Sequence, residues 1–182
     1  MTLRRLLFVI STSVLAAACG NKIGDSCNSS LDCAQDNTRT CDVQSLPDGY
    51  CTIEGCDFDT CPDEAVCVRF FAGVQTSNPC TTTADCALDE LCTLGGNCVP
   101  RILERRFCMR KCGSIGDCRD GYECRDVELM MRHGGEPVPD PTDATGEIPS
   151  TSFCATRQAC INISDCETNE TCDPETRTCA PL

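Results

Sequence analysis

CTTTADCALDELCTLGGNC, Cys80 to Cys98, places four cysteines at a constant interval of five intervening residues. Thr81 and Thr82 follow the first cysteine and Asp85 precedes the second. Hydroxyls early and a carboxylate late in a five-residue span favour a single helical turn or an Asx-type turn. Gly95-Gly96-Asn97, just before the fourth cysteine, is a reversal signal, so the last two cysteines are expected on the arms of a small hairpin. One turn followed by one hairpin, C1-x5-C2-x5-C3-xn-C4, is a unit of about 25 residues, in the size range of stacked repeats.

The unit recurs on both sides. Cys112, Cys118 and Cys124 keep the five-residue gaps, and Cys154 follows after 29 residues. Cys160, Cys166, Cys172 and Cys179 show gaps of five, five and six, and Cys27, Cys33, Cys41 and Cys51 show five, seven and nine. Asp32, Asp117 and Asp165 stand immediately before the second cysteine, as Asp85 does. Pro47-Asp48-Gly49 and Asp173-Pro174-Glu175 supply the hairpin turns. Cys56, Cys61 and Cys67 open another unit that lacks a fourth cysteine of its own, and Cys108 is left over. Cys67-Val68-Arg69-Phe70-Phe71 and Arg105-Arg106-Phe107-Cys108 are readable as the arms of one long hairpin with the 80–98 unit inserted between them. Module two closing at Cys80, with the frame slipping by one, is the alternative. The expected organisation is module 1 over 27–51, module 2 over 52–108 with module 3 (80–98) nested in it, module 4 over 109–154 and module 5 over 155–182. The expected fold class is small and disulfide-rich: tandem modules of helical turn plus β-hairpin, mostly irregular and elongated, with little shared core.

Composition supports a stapled chain. There are 21 cysteines, no Trp, two Tyr and six Phe in 182 residues. Disulfides at about 2–4 kcal/mol each substitute for an interior that so few large apolar side chains cannot build. The closest cysteine pair, Cys108 and Cys112, has three residues between its members, so the C-x-x-C spacing of zinc ribbons and redox motifs is missing.

The N-terminus reads as an address. Arg4 and Arg5 precede an uncharged run from Leu6 to Ala18. As a helix this run spans about 20 Å against a hydrocarbon core of about 30 Å, which makes residues 1–18 a signal peptide and not a membrane span. Leu15-Ala16-Ala17-Ala18-Cys19-Gly20 resembles the lipobox of bacterial lipoproteins, with Ala16 where Leu is usual. The resemblance implies cleavage before Cys19, acylation of Cys19, a lipidated tether over 19–26, and a membrane as partner. Gly20 after the cysteine implies the outer membrane, facing the periplasm or the cell surface. Setting Cys19 aside leaves an even twenty cysteines, which fits complete pairing.

The modules themselves resemble EB-type and Dickkopf N-terminal-type cysteine-rich repeats, and the repeated units of cysteine-rich surface lipoproteins in Gram-negative bacteria. The resemblance rests on the spacings from Cys27 to Cys179 with Asp32, Asp85, Asp117 and Asp165. It implies an interaction or structural module and no reaction. Spacing alone does not fix connectivity. Similar small domains, together with the shortness of the closed loops, imply C1–C3 and C2–C4: Cys27–Cys41, Cys33–Cys51, Cys56–Cys67, Cys61–Cys108, Cys80–Cys92, Cys86–Cys98, Cys112–Cys124, Cys118–Cys154, Cys160–Cys172 and Cys166–Cys179.

Charge and the remaining motifs bound the function. The formal charge is −13, and removal of Arg4 and Arg5 with the leader leaves 13 basic against 28 acidic residues, or −15. Nucleic acid and anionic lipid headgroups are disfavoured as partners. Arg101, Arg105, Arg106, Arg110 and Lys111 reverse the charge locally, either as a patch for an acidic protein partner or a lipid phosphate, or as cations paired with acids of neighbouring modules. Asp57, Asp59, Asp63 and Glu64 crowd one loop and are candidates for weak calcium binding, although the Asp-x-Asp-x-Asp-Gly order and a terminal bidentate Glu are missing. Asp126 to Phe153 holds Gly134-Gly135, four prolines and several acids and is expected as an exposed, mobile acidic loop, serving a partner or nothing. His133, the single histidine, lies in it. No catalytic constellation and no cofactor motif is recognisable, so the expectation is a non-catalytic, disulfide-stapled cell-surface module. A disulfide-knotted protease inhibitor read at Arg101 or Arg132, and a weak calcium-binding surface protein, are the alternatives.

Overall fold

A computed structural model describes residues 20–71, 78–143, 146–166, 168–175 and 177–182. Residues 1–18, expected to be a signal peptide, and Cys19 lie outside the described residues. The elements in chain order are α1 (Ser30–Cys33), β1 (Thr40–Cys41), β2 (Cys51–Thr52), β3 (Ala65–Phe71), β4 (Glu90–Cys92), β5 (Cys98–Pro100), β6 (Glu104–Arg110), β7 (Tyr122–Arg125), α2 (Val127–His133), β8 (Glu136–Pro137), β9 (Phe153–Thr156), β10 (Glu170–Cys172) and β11 (Cys179–Pro181). Single 3-10 turns cover Thr83–Asp85, Ile115–Asp117 and Ile163–Asp165. The protein is small, disulfide-rich and largely irregular, with short antiparallel strand pairs.

Four of the five units, all but the one opening at Cys56, start with the same device. The carboxylate of Asp85 accepts from the backbone N–H of Thr81 and of Thr82, both at 2.8 Å. Asp32 receives Asn28 and Ser29, Asp117 receives Gly113 and Ser114, and Asp165 receives Ile161 and Asn162 in the same way. Ser29, Thr82, Ser114 or Asn162 stands at the N-cap, and each pair forms a reciprocal capping box. One carboxylate thus satisfies the orphan donors of a one-turn helix too short to hold itself. Without those bonds the turn would not present the second cysteine at a fixed angle.

The hairpins complete the unit. C3 and C4 are directly opposite one another in every pair of arms: Cys41↔Cys51, Cys67↔Cys108, Cys92↔Cys98, Cys124↔Cys154 and Cys172↔Cys179. They do not bond to each other. C1 bonds C3 and C2 bonds C4 throughout. Two bridges therefore run side by side from the turn onto the two arms. The long hairpin is β3 with β6, registered from Ala65↔Arg110 to Phe71↔Glu104, and module three lies within it. Cys61–Cys108 spans it with a sequence separation of 47.

Three expectations require correction. The first concerns the core. Ile23 and Tyr50 from the N-terminal region, Cys67, Val68, Cys108 and Met109 from the long hairpin, and Tyr122, Met130 and Phe153 from module four, with Ala155, form one buried cluster. Modules 1, 2 and 4 share an interior, because β2 runs on against β6: Cys108 donates to the Ile53 carbonyl, and the Thr52 hydroxyl donates to the Cys108 carbonyl. Among the described residues, no buried member of that cluster comes from module 3, and module 5 contributes only Ala155, the residue that follows Cys154 on β9.

The second is the segment 126–153, which is not simply an exposed loop. Asp126 caps α2 by accepting from Leu129 N–H at 3.0 Å, and Gly134 (φ 75°) ends the helix. Gly135 (φ 75°) lies against the Phe70 ring, where a Cβ would come within 2.5 Å of a ring carbon. β8 then adds a third strand to β3 through Val68↔Pro137 and Arg69↔Glu136. Met130, Glu136 and Val138 are buried. The glycine pair permits a cap and a close approach, not looseness.

The third is the tether. Ile23 is fully buried, Gly24 N–H donates to the Cys51 carbonyl, and Cys51 N–H donates to the Asp25 carbonyl. Residues 20–26 are part of the folded body, held by Ile23 in the core and by the Arg110–Asp25 ion pair at 3.2 Å.

Candidate functional site

The basic run does not form one free patch. Arg106 binds Asp57 at 2.9 Å and also Glu104, and Arg110 binds Asp25. The Lys111 ammonium donates to the Asp63 carbonyl. Alternation along β6 explains the division, since successive side chains leave opposite faces of the strand. Arg101 and Arg105 are exposed and reach no acidic partner among the described residues. They border an open hollow with Glu54, Gly55 and Phe107.

The acidic loop is divided in the same way. Asp57 accepts from Phe58 N–H and binds Arg106, and Glu64 binds Arg39 at 3.4 Å. Asp59 lies in the left-handed region (φ 55°) and is exposed. Two of the four candidate calcium ligands thus face cations, and convergence on one point, which a calcium ion requires, is not what these bonds produce. The proposed protease-reading residues are also relocated. Arg132 is on α2, paired with Glu128 at i,i+4. Arg101 opens a 3-10 turn, Arg101–Leu103, and its N–H is bonded to the Asp89 carbonyl. Neither lies in an extended strand of the kind that adds to another protein's sheet edge.

Two polar constructions carry the packing, and the sequence pattern did not mark them. At the junction of modules 1 and 4, the rings of Tyr50 and Tyr122 stack at 5.5 Å between centroids. The Arg119 guanidinium lies 4.3 Å from the Tyr122 centroid and 5.4 Å from that of Tyr50. It also donates to the carbonyls of Pro47 and Gly49. Burial raises the ionisation of both phenols above their ordinary range. A cleft of about 490 Å³ opens beside them, lined in part by Asn21, Asp25, Arg110 and Asp117. The second construction is ionic. Glu123 holds Arg125 at 2.9 Å and His133 Nδ1 at 2.8 Å. A carboxylate only accepts, so Nδ1 carries the proton. The His133 side chain is 3 % exposed. Glu136 holds Arg69 at 2.6 Å and accepts from Leu94 N–H at 2.6 Å, which clamps module three to the long hairpin.

Sulfur atoms crowd within 4.8 Å in each unit, for example Cys27, Cys33 and Cys51. All of these atoms are in disulfides, where they are neither thiolate ligands nor nucleophiles. The fold and its residues therefore define a small disulfide-stapled protein of an exported or extracellular, oxidising environment. No described helix is long and apolar enough to cross a membrane. The chain matches no family model, no curated protein and no solved structure.

Proposed function

We propose that the protein is a non-catalytic lipoprotein, acylated on Cys19, that presents a rigid disulfide-stapled body at the outer membrane for interaction with another protein or for structural support. The observation that carries this reading is the assignment of cysteines. Ten bridges use every cysteine from Cys27 to Cys179, and the twenty-first in the sequence is Cys19, at the end of the run of small residues. A chain that leaves one cysteine over in an oxidising compartment needs a use for it, and thioether lipidation supplies one. Non-catalytic status is supported by the consumption of the other thiols in disulfides and by the buried engagement of His133 with Glu123.

The test is a Cys19→Ser variant expressed beside the unaltered protein with labelled palmitate. The expected result is labelled, membrane-sedimenting protein for the parent, and unlabelled protein absent from the membrane fraction for the variant. Equal labelling of both would contradict the proposal.

A further inference from the structure

We infer that the face around Gly20, comprising Lys22 and Leu31, is a membrane-contacting surface that seats this body directly on the lipid interface. This rests on acylation of Cys19. The argument begins with how soon after Cys19 the chain becomes fixed. A Cβ on Gly20 would come 2.6 Å from the Cys33 carbonyl oxygen, so Gly20 already lies against the end of α1. Asn21 N–H donates to the Asp32 carbonyl, the Asn21 carbonyl accepts from Arg39 at 2.6 Å, and the Asn21 side chain donates to the Ser26 carbonyl. Lys22 and Asp25 close a turn, and Ile23 is in the core.

Consecutive Cα atoms are about 3.8 Å apart. An acyl group on Cys19 is therefore one peptide unit from a rigid surface, and the body cannot stand off on a flexible stalk. Whatever surrounds Gly20 must meet the headgroup layer. Leu31 is 67 % exposed on α1, the helix whose end contacts Gly20. The Lys22 side chain is exposed and makes no ion pair among the described residues. The neighbouring acid, Asp32, is turned onto the N–H groups of Asn28 and Ser29. Leu31 precedes Asp32, whose carbonyl holds Asn21 N–H, and Lys22 follows Asn21; an apolar side chain and a long cationic one this close along the chain to the attachment point match the apolar and polar layers of the interface. The partner is the lipid surface itself.

The chain has no Trp, so a single introduced indole is a site-specific probe. Full-length lipidated Leu31→Trp protein, purified from membranes, is reconstituted into phosphatidylethanolamine–phosphatidylglycerol vesicles with brominated lipid. Leu88→Trp, at a fully exposed position of module three, is the reference. The expected result is a blue-shifted indole emission from the Leu31→Trp protein, quenched at least about twofold more strongly than that of the Leu88→Trp protein, as for a side chain inside the interface. Intact mass on the same samples reports acylation. Acylated Leu31→Trp protein that is no more quenched than the Leu88→Trp reference overturns the seating and leaves the lipoprotein reading standing. Protein without acyl chains on Cys19 overturns both.

Discussion

Replacement of Glu136 by Ala removes the carboxylate that holds the Arg69 guanidinium at 2.6 and 2.8 Å and accepts from Leu94 N–H at 2.6 Å. The side chains are 4 % exposed for Glu136 and 11 % for Arg69, so water cannot replace the lost partner. Breaking a buried pair by removing one member costs about 3–5 kcal/mol, and a buried N–H left without an acceptor costs about 1–3 kcal/mol. These overlap, because both arise from desolvated donors facing the same vacated space. The expected loss is therefore about 3–5 kcal/mol. Arg69→Ala should cost about as much, and the double variant should cost at least about 2 kcal/mol less than the two singles together. The assay is urea unfolding with disulfides intact, followed by the emission of Tyr50 and Tyr122, the only tyrosines. Hydrogen exchange at Leu94 and Val138 localises the effect, since Val138 N–H is bonded to the Cys67 carbonyl beside Glu136. A Glu136→Ala loss below about 1 kcal/mol, or additive singles, would refute the reasoning that this segment is a structural strand joining module three to the long hairpin.

Further outcomes follow from the same geometry. Paired Cys61→Ala and Cys108→Ala substitutions open a closed loop of sequence separation 47, against 12 for Cys80 and Cys92. The chain-entropy relation gives about 4 and about 3 kcal/mol respectively, an order that denaturation of the two variants would check. The carboxyl of Asp85 is pulled down from 3.8 to about 2, first by the Thr81 N–H and then by that of Thr82. Its folded value lies below its unfolded one, so its contribution is complete above about pH 4 and is lost as the pH falls through about 2. Carboxyl titration by NMR should show Asp85 titrating near 2, with the amides of Thr81 and Thr82 moving in step. Burial, the largest cause, raises the ionisation of Tyr50 and Tyr122. The neutral phenols are therefore favoured by the fold, and stability falls as the pH rises beyond about 10. Alkaline absorbance titration should show phenolate above the ordinary range, whereas two phenols titrating near 10 in the folded protein would contradict the stacked junction.

The units were legible because each depends on neighbours in sequence. Asp85 reaches Thr81 and Thr82, and the Gly95-Gly96-Asn97 turn brings Cys92 opposite Cys98. What joins the units was not legible, because it depends on residues far apart. Arg119 lies over Tyr50 from 69 positions away in the sequence, and no local pattern announces it. One signal was present: both tyrosines occur as Asp-Gly-Tyr just ahead of a hairpin cysteine, Asp48-Gly49-Tyr50 and Asp120-Gly121-Tyr122. In both the glycine adopts positive φ, 62° and 80°. The triplet precedes the fourth cysteine in module 1 and the third in module 4, so it marks two turns without announcing that their tyrosines stack. In the segment 126–153 Gly134 and Gly135 signal freedom locally, whereas Met130 and Val138 supply the apolar content that buries it. Likewise Ile23 was a lone aliphatic residue in a polar stretch, and it fills the core. The basic run was visible, but its division into paired Arg106 and Arg110 and solvent-facing Arg101 and Arg105 depended on acids distant in the sequence, Asp57 and Asp25.

The intact mass of the protein extracted from membranes, before and after reduction with alkylation, tests the account most directly. The account predicts a chain beginning at an acylated Cys19, with twenty alkylated thiols that appear only after reduction. An unacylated mass, or thiols that alkylate without reduction, would contradict it.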